Sequence, residues 1–370
     1  MKVLHSPCNV GNQPQALCQA ERSLGVSSQS ITNYITWLGY ESDVVMGKYQ
    51  DRSFCTYAKR WLYGLTAPYR YDVFHYYFGR SLMCWDDYGP RTDWWFWDLK
   101  QAKRLGKKVV MTLQGCDARI ASRSNAINEV TPCQEGGCRF YDGCVANVDN
   151  DRRYLIEEVL PLCDKVFYLN PELKRYVQSA EFLPYATIDV RNTPVCPPKA
   201  NGPVRILHAP SDGATKGTRW VLAAIEKLQK EYDIEFRIVE NTPHAEALKL
   251  YEWADILIDQ LLFGWYGGLS VELMAMGKLV MCYIREDDLE FVPGDMRADL
   301  PIVRTHPESL TEDLSRLIET RERWPEVSAS MRNFALKWHD PNIIADAMVA
   351  MYRRPDSIFD LNAAQRKFGF

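Results

Sequence analysis

The residues best suited to chemistry lie in one run, Gly264-Trp265-Tyr266-Gly267-Gly268-Leu269-Ser270-Val271-Glu272-Leu273-Met274-Ala275-Met276-Gly277-Lys278. A Gly267-Gly268 turn feeding a helix leaves the amides of Gly268, Leu269 and Ser270 without intrahelical acceptors, and the helix dipole adds positive potential there. That combination suits a phosphate or diphosphate. Glu272, expected in the first turn, can accept hydrogen bonds from a vicinal diol such as a ribose, or simply face the dipole; Ser270 either caps the helix or touches the ligand. A second element, His208-Ala209-Pro210-Ser211-Asp212-Gly213-Ala214-Thr215-Lys216-Gly217-Thr218, is a loop between a strand and a helix. Lys216 offers a diphosphate a compact cation, and Gly217 lets the backbone come close.

Other constellations are less committed. Cys133-x4-Cys138-x5-Cys144, with Cys116 upstream, offers four thiolates for a tetrahedral structural zinc; reduced thiols or a facultative disulfide are the alternatives. The other seven of the eleven cysteines are scattered, and an odd count argues for reduced thiols. Asp117 and Arg119 suit either an acceptor contact or a salt bridge closing a loop. His75, on a strand, suits a bond to a backbone carbonyl better than catalysis. Trp94-Trp95-Phe96-Trp97 would point all round a helix and must mainly pack, which leaves Trp265 and Tyr266 as the sugar-stacking candidates.

The elements that position these groups alternate. Apolar runs at 3–4, 43–46, 72–77, 108–113 and 165–169 read as strands, with helices at 14–24, 93–105 and 151–160 and a capped helix from Asn170. Six prolines and glycines between 184 and 203 interrupt the pattern. It restarts with strands at 204–208, 235–239, 255–259 and 279–283 and helices at 219–231, 244–253 and 267–276, the last closed by Gly277. The expected organisation is therefore α/β. An N-terminal Rossmann-like domain spans 1–190, a Pro-rich linker 191–203 and a C-terminal Rossmann-like domain 204–350, with a tail at 351–370 that crosses back. Two doubly wound sheets of this kind bind ligands at their strands' C-terminal ends, which puts the expected site in an interdomain cleft.

At 370 residues, 46% hydrophobic and 25% charged, the chain has room for two cores. The net charge of -4 excludes a global field for nucleic acid. It divides into +3 over residues 1–200 and -7 beyond, so the N-terminal half is the side expected to make weak peripheral contact with anionic lipid. With no apolar run of about 18 residues and no signal-peptide pattern, the expected location is the cytoplasm, at the inner face of the membrane.

The lysine-glycine loop followed by the 264–278 run resembles the C-terminal half of family-4 type retaining glycosyltransferases of the GT-B fold. In that family a Lys-Gly loop and a Glu-x7-Glu segment bind a nucleoside diphosphate sugar. Asn9-Val10-Gly11-Asn12 resembles the family's glycine loop, and Thr112-Leu113-Gln114-Gly115-Cys116-Asp117-Ala118-Arg119 its His-Gly-Ser-Asp-x-Arg stretch. The resemblance implies a diphosphate role for Lys216, a ribose contact for Glu272 and a donor-side role for Gly11 and Asn12. It also implies front-side transfer with retention to a glycan, lipid-linked or small-molecule acceptor in bacterial glycan assembly. No cofactor is required, because Lys216 and the helix N-terminus replace a divalent ion. Three positions depart from the pattern. The first glutamate is Gly264, with Asp259 or the Trp265-Tyr266 loop as stand-ins; the arginine expected near Pro210-Ser211 is missing; the histidine is Gln114, which bonds a hydroxyl but carries no proton. Asp259 and Gln114 are thus the catalytic candidates. A nucleotide-sugar epimerase of the same fold and a non-catalytic nucleotide-sugar-binding scaffold are the rival readings.

Overall fold

A computed structural model of the chain describes residues 1–36, 39–51, 53–84, 91–240, 242, 244–354 and 359–370. Two parallel sheets organise it. The first contains β1 (Lys2–Ser6), β2 (Ser27–Thr32), β3 (Val44–Val45), β4 (Val73–Tyr77), β5 (Lys108–Leu113), β6 (Lys165–Tyr168) and β7 (Glu181–Phe182), in the order β3-β2-β1-β4-β5-β6-β7. The second contains β8 (Val204–His208), β9 (Ile234–Ile238), β10 (Ile256–Ile258), β11 (Leu279–Cys282) and β12 (Val303–Arg304), in the order β12-β11-β10-β8-β9. Both are doubly wound, and each reverses strand order once, between β1 and β4 and between β8 and β10. Such reversals open a crevice at the strands' C-terminal ends.

The central strands read as unbroken apolar runs because both faces are covered. All four residues of β11 are buried, and Ile206, Ile256, Ile258, Leu279 and Met281 share one core with Val221, Ile225, Leu314 and Trp324 from the flanking helices. Burying each such side chain stabilises the fold by roughly 1.5–3 kcal/mol.

Neither compact unit is a single stretch of chain. Unit 1 comprises Met1–Ile120, Asn147–Ile188 and Pro341–Phe370; unit 2 comprises Ala121–Ala146 and Asp189–Asp340. Residues 121–146, expected in the N-terminal domain, therefore lie with unit 2, where Arg285 Nη2 donates to the Val130 carbonyl at 2.8 Å. The return to unit 1 begins at Pro341 rather than 351. The helix Pro341–Arg353 packs on the helix Gln13–Ser23 and buries Ile343, Ile344, Met348, Met351 and Tyr352.

Several elements went unread in the sequence, among them β2 and the helix Phe54–Arg70. The capped helix expected at Asn170 is a short 3-10 turn, Pro171–Arg175. Asn170 does not cap it; its side chain donates to the Gln114 carbonyl and accepts from the Tyr185 hydroxyl at 3.1 Å.

Candidate active site

In unit 2 the site is organised by two consecutive residues at the end of β10. The Asp259 carboxylate accepts the Gly267 amide at 2.9 Å and the Ser270 hydroxyl at 2.6 Å, which fixes the start of the helix Gly268–Ala275. Gln260 accepts the Lys216 ammonium on Oε1 and donates through Nε2 to the Trp265 carbonyl. The glycine turn and the lysine, 51 positions apart in sequence from Lys216 to Gly267, are thus secured to adjacent residues of one strand end.

Local chemistry explains each piece. Asp212 caps the short helix Gly213–Lys216 by accepting the Thr215 amide at 3.0 Å. Gly217 follows at φ 84°, and a Cβ there would meet Leu261 Cβ at 2.9 Å, so only glycine lets this turn lie against the end of β10. The Leu261 amide closes the contact on the Lys216 carbonyl at 3.0 Å. The Lys216 ammonium stands 5.0 Å from the Phe263 ring centroid, a cation-π distance. His208, at the end of β8, is held by the Ile258 carbonyl and Thr218 Oγ1, both at 2.8 Å, and burial draws its imidazole below the ordinary value.

The helix Gly268–Ala275 is buried from Ser270 onward, while Gly267, Gly268 and Leu269 stay partly accessible. Its far end is closed as expected: Gly277 at φ 79° donates to the Met274 carbonyl and Lys278 to the Leu273 carbonyl, both at 2.9 Å, the paired bonds of a Schellman motif. Glu272 is the helix's fifth residue, beyond the first turn where it was expected, and is buried.

Trp265 and Tyr266 are not sugar-stacking residues. Both rings are buried, and the Tyr266 hydroxyl bonds His339 Nε2 at 2.9 Å. Gly264 explains its own departure from the Glu-x7-Glu pattern. It sits at φ 76°, with the buried Arg285 side chain occupying the space a Cβ would need. Arg285 is committed there by Asp288 at 2.8 Å and by the Val130 carbonyl.

In unit 1, Gly11 and Asn12 both adopt positive φ after β1, and Asn12 Nδ2 donates to the Thr187 carbonyl at 2.8 Å. Gln114, after β5, donates to the Val10 carbonyl at 3.3 Å, so the glycine loop and Gln114 do come together. The Gln114 Oε1, Asn9 Oδ1, Asn33 Oδ1 and Ser6 Oγ atoms around this crevice are buried and meet no hydrogen-bond partner among the described residues. Buried polar groups rarely stay unsatisfied, and these neutral amides and hydroxyls suit ligand hydroxyls. Asp117 and Arg119 do other work. Asp117 accepts the amides of Gln114 and Gly115, at 3.0 and 2.6 Å, and burial pushes its carboxyl above the usual range against those bonds. Arg119 forms a buried ion pair with Glu172. Both are structural closures of the loop.

His75 bonds side chains rather than a backbone carbonyl: Tyr352 at 2.8 Å and Thr112 at 2.7 Å. Cys116 belongs to unit 1 and Cys133, Cys138 and Cys144 to unit 2, and among the described residues no group of three or more His, Cys, Asp or Glu is placed to hold a metal ion. The loop is held instead by turns, with the Cys138 amide on the Pro132 carbonyl at 2.8 Å and the Cys133 amide on Thr131 Oγ1 at 3.1 Å.

No family model and no curated protein matches the sequence. Solved structures do match. The chain is similar to a sucrose-phosphate synthase from Thermosynechococcus elongatus at 15% identity and a TM-score of 0.60, over 95% of this chain and 98% of that one. It is similar to a glycosyltransferase from Rickettsia africae at 14% identity and a TM-score of 0.55, over 96% and 99%. It also matches Anabaena HepE, solved in complex with UDP-glucose, at 11% identity and a TM-score of 0.59, over 95% and 99%. The two-sheet α/β architecture is therefore that of GT-B glycosyltransferase structures.

Proposed function

We propose that the protein transfers a sugar from a nucleoside diphosphate sugar to a hydroxyl of a glycan, lipid-linked or small-molecule acceptor, with retention. The observation that carries this reading is the end of β10, where Asp259 holds the glycine turn and Gln260 holds Lys216. A diphosphate placed there meets the amides of Gly268 and Leu269 and the lysine ammonium together. Those groups stabilise the charge that develops as the diphosphate leaves, and they are positioned before it arrives. Glu272 lies on the same helix for the ribose. The orphaned amides and hydroxyls around Gly11 support a hydroxyl-rich ligand on unit 1. The complex of Anabaena HepE with UDP-glucose supports a nucleotide-sugar donor. Asp259 acts here as a positioning residue.

The test is calorimetric titration with UDP, GDP, ADP, TDP and CDP. One nucleotide should bind, and Lys216→Ala should weaken it at least about tenfold, the loss of one charge-assisted contact. Binding unchanged in the variant sinks the site. The Arg285 side chain beside Gly264 favours one second reading, a nucleotide-sugar-binding scaffold without turnover. Binding without donor hydrolysis or transfer across an acceptor panel would select it.

A further inference from the structure

The helix Phe54–Arg70 shows an unusual outer face. Phe54 is 85% exposed, Leu62 61%, Tyr69 64% and Leu65 37%, and Ala58 is also exposed. At 3.6 residues per turn these five positions fall within an arc of about 80°, so they form one apolar stripe along the helix. The 17-residue helix contains no Asp or Glu. Lys59 and Arg70 fall on one flank of the stripe by helical spacing, and Trp61 falls on the other. Trp61 meets Trp94 edge-on at 4.7 Å between ring centroids, and Trp94 is itself 44% exposed. Gln101 donates to the Tyr69 hydroxyl at 3.2 Å, which brings the helix Trp97–Arg104 and its exposed Arg104 to the same end.

At that end a cavity of about 600 Å³ opens, lined by Tyr69 and Arg70 together with Lys2, Arg22 and Asp43. Its one carboxylate is already taken, since Asp43 pairs with Arg22 and accepts the Ser30 amide at 2.9 Å. Two acids nearby are engaged as well. Asp51 accepts the Ser53 amide at 2.8 Å and the Thr56 hydroxyl at 2.5 Å, and Asp72 accepts the Lys2 amide at 2.8 Å. Apolar and aromatic side chains bordered by cations match the boundary of an anionic bilayer, where acyl chains meet phosphate headgroups. The stripe is too short and too one-sided to cross a membrane, and no helix among the described residues is long and apolar enough to do so.

We propose that unit 1 seats on an anionic phospholipid surface through the helix Phe54–Arg70, with the cavity beside Tyr69 and Arg70 receiving a lipid phosphate. This surface is separate from the nucleotide-sugar reading and does not rest on it. The test is co-sedimentation of the full chain with phosphatidylcholine vesicles, with and without about 30 mol% phosphatidylglycerol. The protein should sediment with the anionic vesicles, stay free of the neutral ones, and be released as salt rises from about 50 to about 500 mM. The double variant Phe54→Glu, Leu62→Glu should lower partitioning at least about tenfold, and Arg70→Glu about threefold or more, with thermal midpoints unchanged because all three side chains are exposed. Unaltered partitioning of the double variant overturns the proposal, as does failure of the natural chain to bind anionic vesicles. A dimer of the natural chain, seen by ultracentrifugation and dissolved by the double variant, would assign the stripe to a second copy instead. Arg70→Glu binding as well as the natural chain would remove the headgroup role of the cavity.

Discussion

At position 264 a Cβ would stand 2.8 Å from Arg285 Nη1 and 2.9 Å from its Cζ, on a backbone already at φ 76°. Restoring the glutamate that the sequence pattern expects should therefore break the turn rather than improve the enzyme. Gly264→Glu is expected to cost at least about 2 kcal/mol of folding free energy, read as a lower urea midpoint, because strain and displacement of a buried arginine combine. A variant as stable as the natural chain would show that the turn can open. The same position shows what the sequence conceals. Spacing from Glu272 located Gly264 but not the arginine 21 positions further on that occupies its space. Gln260 was invisible for a similar reason: a polar residue after an apolar strand is commonplace until the strand end and the lysine loop are seen together. Trp265 and Tyr266 were misjudged because a glycine-rich loop was taken to be exposed, whereas this one folds inward onto His339 and Phe334.

Between residue and domain, the helix Gly268–Ala275 depends on a residue outside itself. Its extended N-cap, Gly267, offers no side chain, and Asp259 fixes the turn from the end of β10 by accepting the Gly267 amide and the Ser270 hydroxyl. Asp259→Ala should cost about 1–2 kcal/mol, the usual price of a lost cap, and should loosen nucleotide binding by freeing the turn. Asp259→Asn, which keeps an acceptor, should recover most of the stability. An alanine variant that melts with the natural chain would show that the turn holds its own shape. Strands with apolar runs, such as β5 and β11, were legible from sequence alone, as was the Gly277 stop. The strand β2, Ser-Ser-Gln-Ser-Ile-Thr, was not: its buried Ser30 satisfies its hydroxyl on Gln15 and accepts the Asp43 amide at 2.9 Å, so burial is achieved with Ile31 as the one apolar residue. The helix Phe54–Arg70 was overlooked because it turns apolar side chains outward, and Pro68 lies within it.

At the scale of the whole molecule, each unit carries a buried histidine held below the ordinary imidazole value, His75 in unit 1 and His208 in unit 2. Loss of water is the main cause for both, and for His75 the neighbouring His5 adds to it. In the fold both take up protons only at lower pH than in the unfolded chain, where they do so below about pH 6.5. The unfolded state then binds more protons, so stability is full above that pH and falls beneath it, by up to about 1.4 kcal/mol per pH unit for each histidine. Denaturant titrations between about pH 7.5 and 5.5 should show this decline, and His75→Gln should reduce its slope by one proton. An equal slope in the variant would mean that His75 does not govern it.

Tyr352, which anchors the returning helix to His75, also sets an order of events during synthesis. Met1–Ile120 of unit 1 leaves the ribosome before unit 2 and Pro341–Phe370 after it, so the sheet of unit 1 must wait through the making of all of unit 2 with the site of that helix uncovered. Either unit expressed as a plain truncation would carry an open seam: unit 1 without its final helix, unit 2 without residues 121–146. The chain matures as a whole.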